Sequence, residues 1–175
     1  MANLLTKLQG DHAALPAAFN NKAVLLAWLG AFITIAAVAL VSNQLSYLLI
    51  LGSFGASCVI LFAYPDVPFA QPRNVILGHF LSSLVGLIFI SFFGVAWWSL
   101  AAAVATAVAV MMLTRTVHPP AGSNPVIIWL MAASHADLTW QFLFFPTLFG
   151  AIVIILVSLI YNNLTREGNY PKYWF

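Results

Sequence analysis

The sequence predicts a single all-α bundle embedded in a lipid bilayer, and two observations support this prediction. Hydrophobic residues make up 63% of the 175 residues and charged residues only 6%, whereas soluble domains carry roughly a quarter charged residues. The apolar residues also fall in about six segments, which polar or helix-breaking stretches separate. Six basic and four acidic side chains cannot cover a soluble protein of this size, so we expect lipid to be its solvent.

Each segment is placed by its apolar run and by the residues that interrupt it. A helix needs about 20 residues to cross a hydrocarbon core of about 30 Å. Four segments approach that length, the second is interrupted by the small residues 52–57, and the fifth is short. The predicted segments are 24–41, 45–63, 75–93, 97–114, 125–133 and 140–161.

The stretches between the segments contain strong helix breakers. Residues 64–73 are polar and include three prolines, Gly94 separates the third segment from the fourth, and residues 115–124 contain a His-Pro-Pro sequence. The chain therefore divides into an N-terminal segment (1–22), a transmembrane domain (23–164) and a C-terminal tail (165–175).

The basic residues predict how the segments cross. If all six segments cross and the N-terminus is cytoplasmic, every Lys and Arg lies on the cytoplasmic side, as the positive-inside rule requires. Four crossings, with 45–63 and 125–133 as re-entrant loops, would instead place Arg73 and Arg115 outside. We expect six crossings, two of them short or broken, with both termini on the cytoplasmic side of a bacterial inner membrane.

The two halves of the chain resemble each other weakly. A shift of 67 positions aligns Gly55 with Gly122 and brings Ser57 opposite Asn124. Three segments per half would give the halves opposite orientations, and inverted repeats with broken helices are typical of transporters. The sequence thus favours a 3+3 inverted repeat, with chance similarity between apolar helices as the alternative.

The stretch from His118 to Pro125 is the most informative part of the sequence. Proline suits a first helical turn, and a preceding Ser123 or Asn124 can cap it, so a helix is expected to start near Asn124. Irregular backbone at membrane depth must be buried in protein or line a wet cavity, and helix N-termini attract anions. Residues 52–57 can offer the same from the other half; a proline kink or tight packing without a ligand is the alternative.

Several polar residues near these breaks are candidates for function. Ionisable groups inside membranes are usually functional, so His79 and His118 are candidates for contacting an anion or relaying a proton. A neutral histidine bonded to a neighbouring helix is the alternative for His79. Arg73, with Asn74 beside it, either anchors to lipid phosphates or draws anions into a vestibule; Asp66 is a possible partner for Arg73.

Other classes of function are disfavoured by what the sequence contains. The net charge of +2 is too small for a nucleic-acid partner, and Cys58 is the only cysteine. No set of ligands at metal-binding spacing, catalytic triad or dinucleotide motif is evident. We therefore expect no metal, no cofactor and no enzymatic activity.

A set of short motifs occurs in order along the chain, at residues 55–57, 62–65, 70–75, 78–79, 118–122, 162–164, 170–171 and 173–174. This ordered set resembles the HPP family of integral membrane proteins, over roughly residues 20–175. The resemblance implies a small-anion transporter, because members in cyanobacteria and chloroplasts have been linked to nitrite transport. The family often has Ala where this chain has Ser123.

The sequence and the resemblance support one functional hypothesis and one alternative. The hypothesis is a transporter or channel for a small monovalent anion, with nitrite the leading substrate, in a bundle expected to self-associate. The alternative is a membrane scaffold or assembly partner that transports nothing. The candidate anion-binding residues are Ser53, Gly55, Ser57, Arg73, Asn74, His79, His118, Gly122, Ser123 and Asn124.

Overall fold

A computed structural model describes residues 13–45 and 50–174, and this part of the chain contains helices and no strands. The predicted all-α bundle of six segments, two of them short, is therefore confirmed. Residues 46–49, at the predicted start of the second segment, and most of the predicted N-terminal segment lie outside the described residues. The six α-helices are α1 (Asn21–Leu45), α2 (Gly52–Ala63), α3 (Pro72–Phe93), α4 (Trp97–Leu113), α5 (Asn124–Ala133) and α6 (Phe149–Thr165).

Helix length and composition show a multi-pass membrane protein. Three helical stretches are long and apolar enough to cross a bilayer, namely Asn21–Leu45, Pro72–Phe93 and Trp140–Thr165. By contrast, α2 has 12 residues and α5 has 10, which is about 18 and 15 Å of helix. Each half of the chain thus has a short helix between two longer ones. The inverted relation between the halves stays a prediction.

Proline and glycine set the boundaries of the central helix, α3. Pro72 is its first residue, where the fixed φ suits a helix and the missing N–H would have had no partner. Gly94 ends the helix with φ of +66°, a conformation that glycine adopts without steric cost. Pro125 plays the same part in the first turn of α5, which begins at Asn124 as the sequence predicts.

The last predicted segment, 140–161, is helical but irregular near its start. A 3₁₀ turn (Trp140–Leu143) and a π turn (Phe144–Leu148) precede α6, and Phe145 inside the π turn has extended backbone with φ −129° and ψ 115°. Pro146 explains the break, because proline cannot donate a helical hydrogen bond and clashes with the preceding turn. Regular helix resumes at Phe149.

The segments that carry basic residues gather at one end of the bundle. Asp66, just after α2, forms ion pairs with Arg166 at 2.5 Å and with Lys172 at 3.2 Å. Arg73, at the start of α3, donates to the Thr114 carbonyl at the end of α4, so Arg73 does not pair with its possible partner Asp66. A four-crossing arrangement would put Asp66 and Arg166 on opposite sides of the membrane, and their contact favours six crossings.

The same end of the bundle receives the C-terminal tail, which is docked onto residues 65–74. The Tyr170 hydroxyl donates to the Ala70 carbonyl at 2.6 Å, and the Lys172 amide donates to the Gln71 side chain at 2.7 Å. Tyr170 is 3% exposed, and burial raises the pKa of its hydroxyl. The tail therefore packs as part of the bundle.

Close helix packing surrounds α3, which contacts α4, α5 and α6. A Cβ added at Gly86 would lie 2.8 Å from Ile128 and 3.0 Å from the Cα of Pro125, so only glycine allows α5 to approach this closely. Gly30 on α1 meets the ring of Phe62 in the same way. Packing accounts for both glycines, as it does for small residues in other membrane helices.

Candidate functional site

A chain of polar side chains runs through the centre of the bundle where the two short helices meet α3. Its six members, which we call the polar cluster, have 0% of their surface exposed. Each comes from a different position in the fold: α2, two turns of α3, the segment before Pro119, the start of α5, and the π turn. The polar cluster consists of Ser57, His79, Ser83, His118, Asn124 and Thr147.

Ser57 joins the two histidines. Its Oγ lies 3.0 Å from His79 Nε2 and 2.8 Å from His118 Nε2, although these residues come from three separate segments. The two imidazole rings are 5.0 Å apart, centroid to centroid, in an edge-on arrangement. A single hydroxyl thus links a helix interior, α3, to the His-Pro-Pro break.

The hydrogen-bond partners fix which nitrogen of each neutral ring carries the proton. His118 Nδ1 lies 2.7 Å from the Phe69 carbonyl, which can only accept, so Nδ1 is protonated and Nε2 accepts from Ser57. Asn124 Nδ2 donates to His79 Nδ1 at 3.1 Å, which leaves the His79 proton on Nε2, where it is donated to Ser57 Oγ. Ser57 therefore accepts from one histidine and donates to the other.

Asn124 extends the polar cluster towards the last segment. Its Nδ2 also donates to Ser83 Oγ at 2.9 Å, and Ser83 shares a hydrogen bond with Thr147 at 3.1 Å. The same nitrogen lies 3.2 Å from the His79 carbonyl, where an oxygen would be repelled, so the orientation of the carboxamide is defined. Asn124 Oδ1 is buried and has no hydrogen-bond partner among the described residues, and burial of an unpaired acceptor is costly.

A glycine on α3 lets His118 approach. A Cβ added at Gly78 would lie 2.8 Å from the His118 Cβ and 2.9 Å from the Thr116 carbonyl oxygen. Phe54 packs edge-on against His79 at 5.1 Å, and Ser82 donates to the Ala121 carbonyl at 2.7 Å. Apolar and backbone groups thus enclose the histidines.

Arg73 and Asn74 lie outside the polar cluster and bind the backbone that leads into it. Asn74 Nδ2 donates to the carbonyl of Val117 at 3.0 Å, and Arg73 holds the Thr114 carbonyl of the same connection at 3.1 Å. Both side chains fix the backbone that leads into His118. Ser53 is also adjacent: its carbonyl oxygen lies 3.0 Å from Ser57 Oγ as a second possible acceptor, and its own buried hydroxyl has no hydrogen-bond partner among the described residues.

Three predicted residues lie outside the polar cluster. Gly55 is exposed on the outer face of α2, in an apolar groove against α1. Gly122 is half-buried, and a Cβ added there would meet no atom within 4 Å. Ser123 does not cap α5 as predicted, because its hydroxyl donates to the Pro120 carbonyl at 2.8 Å.

Three groups in or beside the site were not among the residues predicted from the sequence. Ser83 bridges Asn124 and Thr147, a role that its position in the apolar third segment does not reveal. Thr147 follows Pro146 within an otherwise apolar segment, a polar residue beside a helix breaker that the pattern could have flagged. The Phe69 carbonyl carries no signal in the sequence at all.

Comparison with known proteins agrees with this architecture. A family model described as the transmembrane region of HPP proteins matches residues 16–171. Two transmembrane proteins of Dictyostelium discoideum are 36% and 35% identical over 156 residues, which is 85% of this chain and 54% and 50% of theirs. The chain thus spans about half the length of these relatives. No solved structure matches the chain.

Proposed function

Because the chain belongs to the HPP transmembrane family, we propose that it carries a small monovalent anion across the membrane, with nitrite the leading substrate. The proposal places the protein in a bacterial inner membrane with both termini in the cytoplasm, and as an assembly of several copies. The described ends of the chain fit this arrangement, since Phe19 contacts Tyr64 and Tyr170 is docked on Ala70 at the same end of the bundle.

The observation that carries the proposal is the polar cluster. Hydroxyl, imidazole N–H and carboxamide groups can each donate to an anion, and all are brought together in the buried centre of the bundle. None of them carries a fixed charge. Neutral donors suit a permeant ion, because conduction requires that the ion bind well enough to enter and weakly enough to leave.

Anion flux into proteoliposomes that contain the full chain tests this function. We expect uptake of nitrite above that of protein-free vesicles, with nitrate, chloride and formate measured in parallel to rank the substrates. Protein-free vesicles made from the same lipid report leakage of the undissociated acids. Flux equal to that of the empty vesicles for all four anions would reject the proposal.

A second candidate function, a membrane scaffold or assembly partner, is favoured by the closed state of the polar cluster. Ser57, His118 and Asn124 have 0% of their surface exposed and find hydrogen-bond partners within the bundle. A transporter must open this region, whereas a scaffold need not. Absence of flux from well-folded protein, together with co-purification of a partner, would favour the scaffold.

A further inference from the structure

The hydroxyl of Ser57 has two acceptors and can donate to only one of them. His118 Nε2 lies 2.8 Å from Ser57 Oγ, and the Ser53 carbonyl oxygen lies 3.0 Å from the same atom. With both histidines neutral, the hydroxyl donates to His118, because that nitrogen has no proton of its own. The Ser53 carbonyl oxygen then accepts no hydrogen bond from Ser57, although it lies within hydrogen-bonding distance of the hydroxyl.

This second acceptor lets the site accommodate an added proton. If His118 Nε2 takes up a proton, the Ser57 hydroxyl rotates onto the Ser53 carbonyl, and Ser57 Oγ accepts from both histidines. A hydroxyl oxygen has two lone pairs, so every donor keeps a partner. Rotation of one O–H bond is the only rearrangement required, and no heavy atom moves.

The site holds one added proton and not two. His79 Nδ1 faces the Nδ2 donor of Asn124 at 3.1 Å, so a proton placed there would point at another donor. The imidazole rings are 5.0 Å apart, and two positive charges at that distance in a buried site repel each other strongly. The histidines therefore bind a proton as a pair.

In the described part of the chain, no acid is placed to balance a positive charge on the two histidines. Among the described residues, the charged or titratable side chains on the elements packed around the pair make no hydrogen bond to either ring. Asp66, between α2 and α3, is already paired with Arg166 and Lys172. The charged or titratable side chains on these elements are Cys58, Asp66, Arg73, Arg115, Tyr161 and Tyr170.

We infer that His79, Ser57 and His118 form a proton-binding site whose single proton enters together with the transported anion. A lone charge buried in this bundle is unfavourable, whereas a proton and a monovalent anion together are neutral. Each therefore raises the affinity for the other, because such coupling is reciprocal. The inference rests on the proposed function and predicts electroneutral cotransport of one proton per anion.

Transport stoichiometry tests the coupling directly. Proteoliposomes with a pH-sensitive dye in the lumen are given a nitrite gradient, with a potassium ionophore setting the membrane potential. We expect one proton per nitrite, uptake that does not respond to the potential, and uptake that increases when the outside is more acidic. Nitrite flux without protons, or flux that follows the potential, would overturn the inference while leaving the proposed function intact.

A matched pair of serine variants assigns the coupling to this site. Ser158 is fully buried on α6 and donates to the Ile154 carbonyl at 2.8 Å, as Ser57 can to Ser53. Ser158→Ala should keep the wild-type ratio of protons to nitrite. Ser57→Ala should lower proton-coupled flux by at least about tenfold, since it removes a hydrogen bond to a charged ring. Equal coupled flux in both variants would contradict the inference.

Proton binding can also be measured without transport. The chain has four histidines, and a His12→Gln, His135→Asn background leaves only the pair. In nanodiscs, the imidazole ¹⁵N chemical shifts of His79 and His118 should change together on acidification, with uptake of one proton. Nitrite should move the midpoint of this titration to higher pH. Two separate titrations, or no titration before unfolding, would refute the shared site even if no anion is carried.

Discussion

Gly78→Ala changes the site without removing any polar group. The added Cβ would lie 2.8 Å from the His118 Cβ and 2.9 Å from the Thr116 carbonyl oxygen, whereas ordinary contacts begin at 3.4 Å. Relief of this clash requires a displacement of at least about 0.6 Å, and overpacking of this kind costs about 1–3 kcal/mol. Replacing a helical glycine by alanine returns about 1 kcal/mol, so the net loss of stability should be about 0–2 kcal/mol.

The displacement should have a larger effect on function than on stability. The bond between Ser57 and His118 is 2.8 Å long, and moving the ring away by about 0.6 Å or more breaks it under ordinary hydrogen-bond geometry. Nitrite flux into proteoliposomes should therefore fall by about tenfold, the cost of one such bond. Thermal unfolding in detergent gives the accompanying change in stability.

Gly55→Ala is the matched control, because an added Cβ there meets nothing within 4 Å. It should leave flux unchanged and the unfolding temperature the same or higher. If Gly78→Ala keeps full flux in monodisperse protein, the position of His118 does not matter for transport and the reasoning fails. If Gly55→Ala loses as much flux as Gly78→Ala, the effect cannot be assigned to His118.

Three further predictions concern the periphery of the site and its response to pH. Thr147→Val removes the hydroxyl that meets Ser83 at 3.1 Å and should cost about 1 kcal/mol in detergent unfolding; an unchanged unfolding temperature would contradict it. His118→Ala should abolish the dependence of nitrite uptake on external pH, and a wild-type pH profile would exclude His118 as the proton site. The hydrogen bond from Arg166 holds the pKa of Asp66 below its usual value, so its ion pairs support tail docking above about pH 4 and lose strength as the pH falls through the lowered pKa. Asp66→Asn at neutral pH should mimic that loss, seen as faster proteolysis of the tail, and equal rates would refute it.

The helices could be predicted from the sequence because lipid demands long apolar runs. Proline and glycine mark where those runs end, and the start of α5 at Asn124 follows from local rules alone. The break in the last segment was not predicted, because a single proline, Pro146, within a long apolar stretch is a weak signal. The break at Phe145 emerges only with the full backbone.

The membership of the site was harder to predict, since it depends on contacts distant in sequence. Helix periodicity does separate Gly55 from Ser57, because positions two apart lie about 200° apart around the axis; only Ser57 faces the histidines. The pairing of Ser57 with His118, 61 residues away, has no local signature. The docked tail escaped for a related reason, because Tyr170 binds a backbone carbonyl, and every residue has one.

Nitrite uptake by a pair of asparagine variants is the most direct test of the central claim that the polar cluster lies on the anion pathway. Asn124 and Asn162 are both buried and both donate to a carbonyl of another helix at 3.2 Å, but only Asn124 touches His79 and Ser83. Replacement by leucine imposes the same change from carboxamide to hydrocarbon at each position. We predict that Asn124→Leu abolishes nitrite flux in monodisperse, reconstituted protein, while Asn162→Leu retains it. Wild-type flux in Asn124→Leu would place the pathway elsewhere and leave the polar cluster as a packing feature.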